Sequence, residues 1–326
     1  MANWLEGYSL TKVRKIIKYL NEKQYRITID LNRGKYDSLS DEEFIKLKFR
    51  TEFGYELDLN NPKSFNEKIQ WLKLYNHEPI YTIMVDKYKV REYIADIIGG
   101  EYLIPLLGVW SKPEEISFES LPKRFVLKCN HNSGTGMYIC RDKSQIDKDS
   151  VLDGLRRGLR EDYYKSGREW PYKNVPRKII CEQYLTDDGP ISDTISEIQN
   201  AELRDYKLMC FNGEVKCSFV CADRFSEKGM HLSFYDRDWN EMPFERAYPR
   251  IQNKVSKPKN YDKMVTLAEE LSKDIPFVRV DFYEAGGKIY FGELTFFPGG
   301  GYEKFTPFEW DYTLGSWIKL PDKKSI

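Results

Sequence analysis

The chain has 326 residues, and its 51 lysines and arginines balance 51 aspartates and glutamates. That balance argues against a broad basic surface for nucleic acid, and 31% charged residues with a mean hydropathy of -0.62 describe a soluble chain. No apolar run is long enough to span a bilayer, no signal-peptide core opens the sequence, and six cysteines without a CxxC pair read as reduced residues of a cytoplasmic protein.

From Ser9, "SLTKVRKIIKYLNEKQYRI" reads as one basic amphipathic helix with Val13, Ile16, Ile17 and Leu20 along one side. It reads either as a terminal helix docked on its own domain or as a peripheral contact with a membrane or partner. "SDEEFIKLKFRTEFG" starts a second helix at Ser-Asp, and "NPKSFNEKIQWLKLYN" a third, with Ser64 and Glu67 spaced as a capping box. "DKYKVREYIADIIGG" is a helix closed by Gly99-Gly100, and "EYLIPLLGVW" is a buried strand region. After about residue 120 short strands take over. "RFVLKC" and "MYICRD" flank the loop "NHNSGTG", and the helical stretch "KDSVLDGLRRGLREDYY" follows. Strands "KIICEQYL", "DYKLMCFNG" and "EVKCSFVCAD", then the helix "NYDKMVTLAEELSKD", lead to a final hairpin. Mixed helices and antiparallel hairpins predict an α+β fold.

The hairpin "RVDFYEAGGKIYFGELTF" sets a geometric problem. With Gly286-Gly287-Lys288 as its loop, Ala285 faces Ile289, Tyr283 faces Phe291, Asp281 faces Glu293 and Arg279 faces Thr295. Val280, Phe282, Gly292 and Leu294 then form a core face. Opposed carboxylates stand roughly 5 Å apart, so they need a cation between them or one must hold a proton. A hard divalent ion, Mg²⁺, is the natural solution; two solvated acids on an exposed face are the alternative.

Other segments add weaker signals. Lys128 ends a strand before a loop in which Gly134 and Gly136 leave backbone N–H groups open to phosphate oxygens, although GK[ST] is absent. An ordinary hairpin turn would look the same. Glu182 to Leu185 end a strand whose edge could pair with adenine, Glu182 accepting from its amino group. Lys207, in an otherwise apolar strand beside Asp205, meets an anion if it points inward. "DRD" at Asp236 to Asp238 and "DKD" at Asp147 to Asp149 match the loose metal pattern of glycosyltransferases, and equally match acidic turns.

Taken in order, strand-lysine, glycine loop, strand-glutamate, strand-lysine and Arg/Asp/Glu hairpin resemble the ATP-grasp superfamily, which closes two α+β lobes over ATP. "NPKSFNEKIQWLKLY", "DKYKVREYI", "YLIPLLGVW", "FVLKCNHNSG", "DYKLMCFNGE", "GELTFFPGGG" and "LGSWIKLP" resemble its TupA-like branch, named for teichuronopeptide biosynthesis, over roughly residues 40 to 320. The resemblance implies a helical region at 1–60, an N-terminal ATP-grasp subdomain at 61–120, a lid at 121–185 and a C-terminal subdomain at 186–326. It implies that Lys87 and Lys128 contact phosphates, and that Asn130 to Gly136 (with Asn132, Ser133, Gly134, Thr135 and Gly136) form the phosphate lid. Glu182, Gln183, Tyr184 and Leu185 become the adenine hinge. Lys207 lines the cleft, Arg279 steadies the transferring phosphoryl group, and Asp281 and Glu293 hold Mg²⁺. Thr295 stands where many relatives have Asn, which leaves a second metal site in question. The implied chemistry is a carboxylate–amine ligation through an acyl phosphate, with a uronic acid of a surface polysaccharide as acceptor and an amino acid or amino alcohol as amine. Arg224 is the candidate grip on the acceptor carboxylate. The competing readings are a glycosyltransferase with metal on Asp236 and Asp238, and a nucleotide-binding scaffold without turnover.

Overall fold

A computed structural model describes residues 2–186, 189–190, 203–222 and 229–323, with side chains from residue 12 onward apart from 189–190. The expected first helix is two, α1 (Ala2–Asn21) and α2 (Lys23–Asn32), separated at Glu22, whose backbone is extended. Then come α3 (Asp41–Phe53) and α4 (Phe65–Tyr75). Each opens on a complete capping box, Ser64 with Glu67 as expected and Ser40 with Glu43 at the helix expected only to start at Ser-Asp. Helices α5 (Ile80–Val85) and α6 (Val90–Ile97) lead to strand β1 (Leu106–Trp110).

The first sheet adds β2 (Phe125–Cys129), β3 (Tyr138–Cys140) and β4 (Ile179–Gln183), in the order β1-β4-β2-β3, all antiparallel. Helices α7 (Lys148–Arg160) and α8 (Tyr163–Gly167) lie between β3 and β4 in sequence. Phe125, Leu127 and Cys181 point to one side and are fully buried with Val151 and Leu155 of α7. Alternation leaves Val126, Lys128, Ile180 and Glu182 on the other side.

A short pair, β5 (Leu185–Thr186) and β6 (Gly189–Pro190), precedes the second sheet. That sheet contains β7 (Asp205–Phe211), β8 (Glu214–Ala222) and β9 (His231–Asp236). After β10 (Glu245–Arg246) and α9 (Tyr261–Leu271), β11 (Phe277–Ala285) and β12 (Lys288–Thr295) complete it in the order β12-β11-β7-β8-β9. β13 (Phe305–Thr306) pairs with β10, and α10 (Glu309–Trp317) ends the described fold. One core runs from α4–α6 through this sheet to α9 and α10. Phe277 packs edge-on against both Phe65 and Phe211 within it. The second sheet is therefore a rigid floor, and charged side chains on its open face are held by backbone buried beneath them.

The hairpin corrects the expected register in detail. Its loop is Gly286-Gly287, both at positive φ, so Ala285 faces Lys288, Glu284 faces Ile289 and Tyr283 faces Tyr290. A bulge at Gly292 then restores Asp281 to Glu293 and Arg279 to Thr295. Any side chain at Gly292 would crowd the Asp281 carbonyl oxygen and the Tyr283 ring, each 3.1 Å from a Cβ built there. All six cysteines are buried free thiols.

Candidate active site

Asp281 lies at the centre of a charged cluster on the open face of β7, β11 and β12. Arg279 lies two residues before it on the same face, and its guanidinium donates through Nε to Asp281 Oδ1 (2.6 Å) and through Nη2 to Oδ2 (2.7 Å). The same Nη2 reaches Glu293 Oε1 at 2.7 Å, so one cation spans both facing acids. Lys207 points inward, as an anion-seeking lysine should, bonding Asp281 and lying 2.7 Å from Asp205 Oδ2. Thr295 Oγ1 donates to Glu293 Oε1 at 3.2 Å. The cation that two opposed carboxylates require is therefore supplied within the chain by Arg279 and Lys207.

Asp205, Lys207, Arg279 and Asp281 are desolvated, which strengthens the interactions among them, while Glu293 lies at the open edge of the cluster. Burial pushes the Asp281 carboxyl up against the opposing pull of Arg279 and Lys207. Burial also pushes Glu293 up, but Arg279, Lys207, Lys87 and Lys128 together draw it down to about 2. Glu293 is therefore an ionised carboxylate at any working pH. Burial lowers Lys207, yet Asp281, Asp205 and Glu293 surround it and it ends above the ordinary ammonium value.

The first sheet and the turn before α6 add the remaining positive charge. Lys87 follows Asp86, whose carboxylate accepts from Tyr88 N–H (2.8 Å) and from Asn130 Nδ2 (2.7 Å). The Lys87 backbone N–H bonds the Asn130 carbonyl (3.1 Å), and its ammonium bonds the Asn132 carbonyl. Lys87 also shares a small cavity with Val85, Tyr172 and Glu293. It thus stands between the loop after β2 and Glu293 of β12. Lys128 lies 2.6 Å from Glu182 Oε2, and Arg91 lies 3.5 Å from Oε1.

The loop 130–136 is anchored at both ends and open in the middle. Asn130, His131 and Asn132 are buried, while Ser133, Gly134 and Thr135 are exposed. Asn132 Nδ2 donates to Glu161 Oε2 at 2.8 Å and to the Gly158 carbonyl at 3.2 Å. Gly136 has φ +71 and packs on α7, where a Cβ would stand 2.7 Å from Cys129 Sγ and 2.9 Å from Gly158 Cα. Its role is close packing against a second glycine, unlike Gly134, around which a Cβ would meet nothing within 4 Å. Gly136→Ala is expected to cost about 2–4 kcal/mol of stability, from overpacking and a left-handed backbone. Gly134→Ala is expected to cost about 1 kcal/mol, from its backbone alone. Urea midpoints of the two variants would separate them.

Lys87, Lys128, Lys207, Arg279, Asp281, Glu293 and Thr295 thus fall into one connected region with the loop 130–136. At the expected hinge, Gln183 N–H bonds the Pro105 carbonyl (3.0 Å) and Leu185 packs with Ile104, Ala285 and Tyr290 beside the hairpin tip. Arg224 lies outside the described residues. The rival acidic patterns are absorbed by local structure. Asp236 Oδ1 accepts from the backbone N–H of Asp238 (2.9 Å) and Asn240 (2.8 Å), an Asx turn. Asp147 caps α7 by accepting from Ser150 N–H. Sequence reading missed Arg91 as partner of Glu182 and Glu161 as anchor of Asn132. The contacts Arg91–Glu182 and Asn132–Glu161 span 91 and 29 residues, and no local pattern announces them.

The family model described as TupA-like ATPgrasp matches residues 67–319, and this stretch contains the whole cluster. The chain belongs to the TupA-like ATP-grasp family. No curated protein sequence matches it. Among solved structures it is similar to D-alanine–D-alanine ligase from Bacillus anthracis at 16% identity, TM-score 0.36, covering 65% of this chain and 57% of that one. It is also similar to the ATP-grasp ligase PsnB complexed with a phosphomimetic variant of its minimal precursor, Mg and ADP (13% identity, TM-score 0.40, 77% and 64% covered). A third is D-cycloserine synthetase DcsG (13%, 0.38, 67% and 64%). The chain spans less than two thirds of the length of each of these.

Whether Mg²⁺ suits the acids can be tested on their remaining valences. Asp281 has three N–H bonds on its two oxygens. Glu293 has both of its bonds on Oε1, which leaves Oε2 without a hydrogen-bond partner among the described residues. Its side chain is 38% exposed, against 3% for Asp281. No group of three or more His, Cys, Asp or Glu among the described residues could cage an ion. Mg²⁺ needs no such cage, since one or two carboxylates plus substrate phosphates and water complete its shell. The donor set fits.

Proposed function

We propose that this protein is an ATP-dependent carboxylate–amine ligase that joins an amino acid or amino alcohol to a uronic acid of a bacterial surface polysaccharide or its precursor. The observation that carries this reading is the Arg279–Asp281–Glu293–Lys207 cluster. It places an ionised, half-open acid beside fixed cations, on a rigid sheet, next to a loop held by Lys87. Phosphoryl transfer asks a protein for positioning and charge compensation, and this arrangement supplies both. Mg²⁺, held by Glu293 with Asp281 and Thr295, would neutralise phosphate charge when bound.

The chain's own residues do the rest. Lys87 and Lys128 bind the phosphates, and the exposed backbone of Ser133, Gly134 and Thr135 closes over them and excludes water. Glu182 to Leu185 hold the adenine, with Arg91 keeping Glu182 in place when Lys128 turns to phosphate. Arg279 and Lys207 stabilise charge on the transferring group, each contributing about 2–4 kcal/mol in a dry cleft. A carboxylate oxygen attacks the γ-phosphorus and ADP leaves. The amine nitrogen then attacks the acyl carbon, phosphate departs, the amine loses a proton, and an amide remains. Arg224 is the candidate for gripping the acceptor carboxylate.

The test is a screen of uronic acids against amino acids and amino alcohols for ADP release. Carboxylate ¹⁸O should appear in the released phosphate. Release of ADP without ¹⁸O transfer would exclude the acyl phosphate, and turnover of nucleotide sugars in place of ATP would exclude the ligase.

A further inference from the structure

The first helix leaves its apolar side uncovered. Val13, Ile16, Ile17 and Leu20 follow the i, i+3, i+4, i+7 spacing of one helical stripe. They are 48%, 58%, 51% and 63% exposed. The expected docking of this stripe on the chain's own domain does not occur among the described residues. The helix is tethered elsewhere on its circumference. Tyr19 donates to Asp30 Oδ1 (2.7 Å) and accepts from Lys35 Nζ (2.9 Å). At 3.6 residues per turn, Tyr19 lies roughly 120° round from the stripe. The tether therefore fixes the helix while keeping the four aliphatic side chains turned outward.

The charge around the stripe says what covers it. Between Lys12 and Arg26 there are six basic side chains and one acid, in a chain whose total charge is zero. Lys12 and Arg14 border the stripe on either side and are exposed, whereas Lys15 and Lys18 lie roughly 150° round from its centre, Lys18 beside Glu22 at 3.7 Å. An aliphatic strip edged by cations fits a surface that is negatively charged above and apolar beneath, which is the headgroup and acyl boundary of an anionic bilayer. A soluble anion would leave the aliphatic strip in water, and a second copy of the helix would set cation against cation. No described helix is long and apolar enough to cross a membrane, so the contact is one of lying on the surface.

We propose that α1 binds the chain peripherally to an anionic lipid surface, with Val13, Ile16, Ile17 and Leu20 inserted at the headgroup boundary and Lys12 and Arg14 along its two edges beside the lipid phosphates. This inference is independent of the ligase reading, because it needs no substrate. The experiment is co-sedimentation of the full chain with phosphatidylcholine vesicles, with and without phosphatidylglycerol, at low and high salt. Binding is expected only to the anionic vesicles and is expected to fall as salt screens it. The double variant Ile16→Glu, Ile17→Glu should bind at least about tenfold less, with an unchanged circular dichroism spectrum because both sites are exposed. Equal sedimentation of that variant, or no binding of the intact chain to anionic vesicles, would overturn the proposal. So would a dimer in sedimentation equilibrium that the same double variant dissolves, since the stripe would then belong to a second copy.

Discussion

Lys207→Met is expected to lower the unfolding free energy by about 3–5 kcal/mol, the cost of stripping one partner from a buried ion pair. Lys207 and Arg279 are the cations that Asp281 meets on this sheet, and Lys207 also meets Asp205. Lys207 touches both Asp205 and Asp281, whose side chains are 5% and 3% exposed. Its loss takes from both of these desolvated acids the cation they share. The signature is a pH dependence of definite sign. Burial already raises Asp281 above the ordinary carboxylate value, and removing Lys207 raises it further. A carboxyl whose folded pKa exceeds its unfolded one binds more protons folded than unfolded, so it favours folding as pH falls. The deficit of the variant should therefore shrink between neutral pH and about pH 4. Urea unfolding at those two pH values, with an unchanged m-value, would read it. A deficit that is the same at both would mean that the lysine's methylenes, not its charge, support the sheet.

That cluster also marks how far the sequence could be read. Strand and helix positions follow from local chemistry, and the Ser64–Glu67 capping box forms as read because that serine is the N-cap and the glutamate stands three residues on. The facing of Asp281 and Glu293 was legible from alternation alone, but by cancellation. The loop is one residue shorter than a three-residue turn, and the Gly292 bulge adds one back. A bulge is set by contact with the neighbouring strand, so the hairpin's own pattern does not announce it. Arg279 as the cation between the acids was legible in principle, since it shares their face two residues away. The pairing of Lys128 with Glu182 was not. The sequence assigned them to opposite ends of a nucleotide, and only the β2–β4 register brings them together on one face. The same holds for Gly136, whose partner Gly158 is on a helix that no loop motif predicts.

Glu293→Gln is expected to reduce ATP turnover by a factor on the order of 10³ or more while leaving the folded structure in place. The two halves of this expectation come from different oxygens of one side chain. Oε1 accepts from Arg279 and Thr295, and a glutamine carbonyl can accept the same two bonds. Oε2 has no protein partner among the described residues, so replacing it by an amide removes nothing that the fold uses. What disappears is the anion. Glu293 is held near a pKa of about 2 chiefly because Arg279, Lys207, Lys87 and Lys128 overcome its burial. Four cations around one half-open carboxylate form a site that attracts phosphate, and without the carboxylate it lacks an anionic ligand for the accompanying Mg²⁺. Nucleotide binding measured without Mg²⁺ should therefore survive or strengthen in the variant, while the strengthening of binding by added Mg²⁺ should vanish. Because Glu293 titrates so far below neutrality, it should contribute no limb to the pH–rate profile between about pH 5 and 8, and any limb there belongs to another group. A variant that turns over ATP at the full rate would remove the metal from Glu293, and the facing acids would then be a structural cluster neutralised by Arg279 and Lys207 alone.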